Sequence, residues 1–369
     1  MAAEGGDYKI LEKVGEGAFG TVFRALDRAT GAEVALKRIR IRDVRALPVN
    51  AVRELNALRR VDHPHVISLI GMHTHGANMV LVMPFVPHSL AAILSKRDAP
   101  LAERDAAAIG TQLLQGVAAI HAEGLLHRDL KPANCLLSAS GTLLVADFGQ
   151  ARLQSTDANA SLSHAVATRW YRAPELLYGA RRYGIGVDAW ACGCVLAQLL
   201  TLSPLLPGES DIDQLFRVVH FLGSPKEDVW PGVSLLPDYH KIELPPDVPP
   251  TPLRQLMPLA SDAALASVEP FLRYDAGRRC TPRDALASPW FLHASRPPPT
   301  PADLLPKRCL PTAKAGKGSA ARTARKTSED LLADAFPAPM CRRAAAPPEG
   351  SAAVRAVGAG LGLIRQAPP

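Results

Sequence analysis

Between residues 8 and 40 apolar and polar positions alternate and glycines cluster, a period-two pattern that predicts a small antiparallel sheet. The period changes at Pro48. Val52, Leu55, Leu58 and Val61 predict a helix over 48–61, with proline at its start, where a helix needs no backbone N–H. Short apolar runs at 66–69 and 79–83 predict two more strands, and the Pro- and Phe-containing run 84–88 breaks the pattern as a hinge would. From Leu101 the spacing is helical over 101–122, 187–202, 211–223, 252–258, 262–272 and 282–287. Beyond Phe291 the chain turns rich in Ala, Pro, Lys and Arg with little periodicity, so 293–369 is expected to be mostly disordered. The fold class that follows is α+β: a small β-rich lobe with one key helix, then a larger helical lobe.

Composition changes this picture little. The chain has 369 residues, 47% apolar and 21% charged, as globular proteins do. Its net charge of +7 lies wholly in the tail, where residues 294–369 carry 12 Lys+Arg against 5 Asp+Glu; the rest is balanced, so no basic groove is implied. Cysteines 135, 192, 194, 280, 309 and 341 form no CxxC pair, which points to free thiols in a reducing compartment. The polar N-terminus does not read as a signal peptide. The run 187–202 is short for a membrane span and holds Asp188, so it reads as a buried helix.

The chemistry lies in four segments. Gly15, Gly17 and Gly20 in "GEGAFGTV" would let backbone N–H groups approach phosphate. The strand-like "TVFRAL" that follows favours a strand–loop–strand flap over a dinucleotide-binding turn, which must enter a helix. Lys37 of "VALK" sits on a strand interior, costly unless paired, and Glu54 in the helix is its natural partner. In "HRDLKPAN", Asp129 can orient a hydroxyl or accept its proton, Lys131 can balance charge on a moving phosphoryl group, and Asn134 offers an amide oxygen to Mg²⁺. Asp147 of "ADFGQAR" would be the second metal ligand, with Gly149 allowing an unusual backbone and Phe148 plugging the core. HRDxKxxN, DFG and the "APE" of 173–175 in this order point to phosphoryl transfer from ATP.

These motifs resemble those of eukaryotic protein kinases over residues 8–292, in the Ser/Thr-specific form. The resemblance implies an N-lobe over 8–83, a hinge over 84–88, a C-lobe over 89–292 and a short extension over 1–7. "PVNAVRE" is similar to the cyclin-contacting helix of cyclin-dependent kinases, and "VATRWYRAPELLYGARRYGIGVDAWACGCVLAQLL" resembles the same group. "VATRWYRAPELLYGAR" and "LPDY" carry a closer likeness to cell-cycle-related kinases, which implies a role in the cell cycle or in the control of cilium or flagellum length. The implied location is cytoplasm, nucleus or cilium.

The resemblance also extends the site. Val22, Ala35 and Leu136 would sandwich adenine, Pro84 and Val86 would lie on the hinge, and Met83 would be the gatekeeper. Val14, Glu16, Ala18 and Phe19 would complete the glycine loop. Thr168 would contact Asp129 and Lys131; Glu175 and Arg279 would form a buried ion pair; Asp188 would brace the catalytic loop; His127 and Phe148 would be core spine. ATP and Mg²⁺ are the implied cofactors, and a cyclin or cyclin-like activator at 48–61 the implied partner.

Departures bear on regulation. Ala18-Phe19 stands where cyclin-dependent kinases commonly carry Thr-Tyr, so the inhibitory phosphorylation switch is absent. Ser163 replaces the usual activating threonine, with Arg53, Arg128 and Arg152 expected to converge on its phosphate; the rival is an unmodified Ser163 in a loop ordered by a partner. Gln150 replaces the usual leucine after DFG, with no direction of effect implied. Arg172 with Val166 and Ala167 resembles a proline-directed pocket, so the expected substrates are Ser/Thr followed by Pro. A pseudokinase scaffold and a small-molecule kinase are the rival classes; the long 150–172 loop favours a protein substrate. Nucleic acid or membrane binding by "KAGKGSAARTARK" ranks below a solvated tail.

Overall fold

The computed structural model describes residues 7–306 apart from 18–19, 42–47, 76–77, 155–160 and 295. Ala18 and Phe19, the extension before residue 7 and the tail from 307 therefore lie outside the described residues.

The small lobe is a five-stranded antiparallel sheet of order β1-β2-β3-β5-β4. Its strands are β1 (Tyr8–Gly17), β2 (Gly20–Asp27), β3 (Glu33–Arg40), β4 (Gly71–His75) and β5 (Asn78–Pro84). The alternation seen in the sequence turns Ala25, Val34, Leu36, Val80 and Val82 to one face, where they form a small core of their own. The key helix, α1 (Val49–Arg60), buries Ala51, Glu54, Ala57 and Leu58 and carries Arg59 and Arg60 in its last turn, where cations favour the helix dipole.

One expected strand is not formed. Residues 66–69 bridge to the large lobe: Ile67 N donates to Val145 O at 2.9 Å and Val145 N to His65 O at 2.9 Å. Val66 and Ile67 are apolar because they are buried at this crossing. The real edge strand, β4, is polar and mostly exposed, so it carries no apolar signal.

The large lobe opens with β6 (His88–Ser89), α2 (Leu90–Leu94) and α3 (Glu103–Ala122), followed by β7 (Leu125–Leu126), β8 (Cys135–Leu137), β9 (Leu143–Val145) and β10 (Arg152–Leu153). It continues through α4 (Pro174–Leu177), α5 (Gly186–Thr201), α6 (Asp211–Leu222), α7 (Leu253–Leu256) and α8 (Asp262–Val268), and ends with α9 (Pro282–Ala285), α10 (Pro289–Leu292) and α11 (Pro301–Leu304). The greasy run is α5, buried from Gly186 to Leu200, and among the described residues no helix is long and apolar enough to cross a membrane. Cys135, Cys192 and Cys194 are buried free thiols. Expected helices over 252–258 and 262–272 are shorter. Pro252 and Pro258 bound the first, and Pro270, which lacks an N–H, converts the end of the second to a 3-10 turn.

The packed chain also runs past the expected boundary at 292. Thr300 and Asp303 form a capping box at the start of α11, Leu304 is fully buried, and Arg97 donates to the Leu304 carbonyl.

Candidate active site

Sheet register assembles the site. Gly17 pairs with Gly20 at the tip of the β1–β2 hairpin, and a Cβ at Gly20 would lie 2.3 Å from the Arg38 carbonyl, so only glycine fits there. Lys37 lies inside β3, opposite Val22 and Leu81. In the large lobe Cys135 pairs with Val145, and Ala146 N donates to Asn134 O at 2.9 Å. Asn134 and Asp147 are thereby brought to one wall, although 13 positions apart in the sequence.

The two lobes enclose a cleft of about 490 Å³. Val22, Ala35, Met83 and Leu136 form its apolar part, beside the hinge residues Pro84, Phe85 and Val86. Val14, Gly15, Glu16, Gly17 and Gly20 form its roof, and Lys37, Glu54, Asn134 and Asp147 its polar end. Every expected nucleotide-site residue that is described lines this one cleft. The Val86 N–H and C=O have no partner among the described residues and suit the edge of a base.

At the polar end Lys37 Nζ donates to Glu54 Oε1 at 2.6 Å and to Asp147 Oδ1 at 2.7 Å. Burial pushes the Lys37 ammonium down, but the Glu54 and Asp147 carboxylates outweigh it, so it is held above its ordinary value and stays charged. Burial likewise pushes Asp147 up, and the Lys37 cation overcomes this to hold it below its ordinary range as an anion. Glu54 Oε2 is buried without a protein partner. Asp147 takes a left-handed backbone, φ 65°; the unusual conformation expected at Gly149 falls on the aspartate instead, a residue type that tolerates it.

The catalytic loop holds Asp129 from several sides. Its Oδ1 accepts from Thr168 N at 3.0 Å and Thr168 Oγ1 at 3.1 Å, its Oδ2 from Lys131 Nζ at 2.8 Å and Asn134 Nδ2 at 3.1 Å. Lys131 Nζ also donates to Thr168 Oγ1 at 2.8 Å. With the Asn134 amide nitrogen fixed on Asp129, its oxygen is left for a hard cation. Among the described residues no cluster of three His, Cys, Asp or Glu could hold a metal alone. One carboxylate and one amide oxygen fit Mg²⁺, which takes its remaining oxygens from phosphate and water. Lys37 and the glycine-loop amides fit a triphosphate. When bound, Mg·ATP supplies the transferable phosphoryl group.

Behind this, Asp188 accepts from the amides of His127 and Arg128, both at 2.8 Å, and pairs with His121 Nε2 at 2.9 Å. His127 and Phe148 are fully buried and pack edge to face at 5.0 Å, as spine rather than reactants. Arg279 donates to both Glu175 oxygens at 2.7 Å and is also bonded to the carbonyls of Gly186, Tyr274 and Arg273.

Burial first, then the Arg152 and Arg128 cations, hold the Arg53 guanidinium below its ordinary value, so the three arginines lie near one another. Ser163 is exposed, and its carbonyl accepts from the Tyr183 hydroxyl. Gln150 gives its carbonyl to Arg128 Nε at 2.8 Å. Sequence reasoning missed Asp211, which pairs with Arg172 and Arg169, both at 2.9 Å, and missed Tyr183 and His121. "ESDID" reads as a helix start and nothing more, because its partners lie about 40 positions away.

Comparison with known proteins agrees with this geometry. The protein kinase domain profile matches residues 8–291. Cyclin-dependent kinase 20 of Danio rerio is 45% identical over 286 residues, 77% of this chain and 83% of its own length. Cyclin-dependent kinase 20 of Homo sapiens is 45% identical over 292 residues, 79% of this chain and 84% of its own. Cyclin-dependent kinase 7 of Xenopus laevis is 41% identical over 304 residues, 81% and 85% respectively.

Proposed function

The chain belongs to the protein kinase family, with cyclin-dependent kinases as its relatives, and from that premise we propose that it is a proline-directed serine/threonine kinase. It transfers the ATP γ-phosphate, with Mg²⁺, to Ser or Thr followed by Pro. Asp129 orients the substrate hydroxyl and takes its proton, Lys131 and Thr168 hold Asp129, Lys37 steadies the phosphates, and Asn134 with Asp147 offers oxygens to the metal.

The observation that carries the proline preference is the fork of Arg172. Its Nε donates to Val166 O at 2.9 Å and its Nη2 to Ala167 O at 3.0 Å, with Ala167 at φ 64°. Carbonyls that could accept a substrate N–H are thereby occupied. Any residue but proline would strand its N–H there.

Activation uses α1 and the arginine cluster. Val49 is 60% exposed on α1 while Glu54 of the same helix faces the cleft, which suits a cyclin-like partner that fixes the helix from outside. A phosphate on Ser163 would offset most of the positive charge of Arg53, Arg128 and Arg152. The likeness to cell-cycle-related kinases supports a cytoplasmic, nuclear or ciliary role in the cell cycle or in cilium length.

The test compares phosphorylation of peptides that differ only in Ser-Pro against Ser-Ala. The proposal expects kcat/KM at least about tenfold higher for Ser-Pro, the worth of one stranded N–H. Equal rates contradict the proline preference, and no transfer to either peptide leaves a nucleotide-binding scaffold.

A further inference from the structure

We infer that Tyr183 is a positioning residue that holds the activation segment at Ser163 onto the catalytic loop without any phosphate. This rests on the kinase reading above and concerns the regulation of the same site.

The geometry is a chain of three links. Arg128, whose backbone is fixed by Asp188, donates Nη1 to the Tyr183 hydroxyl at 2.8 Å. The Tyr183 hydroxyl donates in turn to the Ser163 carbonyl. One residue earlier, Leu162 is buried and its amide donates to Arg181 O at 2.8 Å. Residues 162–163 therefore lie along 181–183, tied by one backbone bond and one phenol. Burial pushes that phenol up more than the Arg128 cation pulls it down, so it stays protonated and remains a donor.

Among the described residues no carboxylate pairs with Arg128. Its charge reaches the segment through a neutral hydroxyl and fixes the Gln150 carbonyl with the same guanidinium. The segment that carries Val166, Ala167 and Thr168 is thus anchored three residues upstream while Ser163 is unmodified. A phosphate on Ser163 would offer Arg128, Arg53 and Arg152 a dianion, a stronger acceptor than a phenol, and would take over the anchoring. Phosphorylation then adds to an order that Tyr183 already provides.

The test uses the full chain carrying Tyr183→Phe, alone and with Ser163→Ala. The ring and its packing remain; only the hydroxyl goes. Amide hydrogen exchange over 161–168 should quicken about tenfold in the double variant relative to Ser163→Ala alone. The KM for a Ser-Pro peptide should rise by a similar factor while the KM for ATP stays unchanged. With Ser163 phosphorylated, the difference between Tyr183 and Phe should shrink to within about twofold. Unchanged exchange over 161–168, or an equal loss with and without the phosphate, overturns the inference. Exchange is read without turnover, so it decides the role of Tyr183 even if an inactive parent chain contradicts the kinase reading.

Discussion

Lys37 Nζ and Glu54 Oε1 stand 2.6 Å apart, both side chains buried, joining β3 to α1 at the polar end of the cleft. The contact sets the rotation of α1 and leaves the Lys37 cation shared with Asp147. A methionine at 37 would keep the bulk and lose the charge.

Lys37→Met should therefore lower kcat by about 100-fold or more, the range for losing one preorganised donor to a developing negative charge. Glu54 would be left buried without its partner, costing about 3 kcal/mol. Steady-state kinetics and chemical denaturation of the same variant check both parts.

Asp188→Asn tests the brace under Arg128 and His127. Burial pushes the Asp188 carboxyl up, but its His121 hydrogen bond, the nearby His121 and His127 rings and the Arg128 amide more than reverse this, leaving it below 3.8. A carboxyl depressed in the folded state stabilises the fold once the unfolded chain is also ionised, above about pH 5. That contribution is lost as pH falls through 3.8 towards the folded value. The variant should be about 3 kcal/mol less stable at pH 7. Denaturant titrations at descending pH should show the gap to the parent closing below about pH 4, the pKa of an aspartate in the unfolded chain.

Arg279→Met removes the guanidinium and leaves Glu175 as an unpaired buried anion, costing about 4 kcal/mol. Arg279→Met with Glu175→Leu removes both charges and should recover much of that loss. The thermal midpoints of the two variants should order that way.

Asp211→Asn weakens the hold on Arg172 from behind without touching the cleft. The Ser-Pro over Ser-Ala preference should fall by up to about fivefold, the ~1 kcal/mol upper end for a solvent-exposed ion pair, while the KM for ATP is unchanged. Paired peptide kinetics check this.

Much of the site was legible because its groups sit in short segments whose residue types are unusual for their surroundings. Lys37 inside an apolar strand and Asp188 inside an apolar helix both announce a buried partner. The polar end of the cleft was legible for the same reason. What escaped was set by tertiary neighbours: Tyr183 and Asp211 look like ordinary surface residues until 163 and 172 are folded against them. Among the elements, β4 escaped because an edge strand needs no apolar face, and 66–69 misled because its apolar residues serve a crossing between lobes rather than a sheet. The apolar spacing over 262–272 continues past Pro270, but the proline has no N–H to give and the helix ends at Val268.

The central claim is that Asp129, Lys37, Asn134 and Asp147 act together on one phosphoryl transfer. Its most direct measurement is a single-turnover transfer of labelled γ-phosphate from Mg·ATP to a Ser-Pro peptide, by the parent chain and by Asp129→Asn, with nucleotide affinity measured alongside. The account predicts transfer by the parent, a rate about 1,000-fold lower for Asp129→Asn within the range of general acid–base effects, and nearly equal Mg·ATP affinity in both. A parent chain that binds Mg·ATP but transfers nothing, or an Asp129→Asn chain that transfers as fast as the parent, would contradict it.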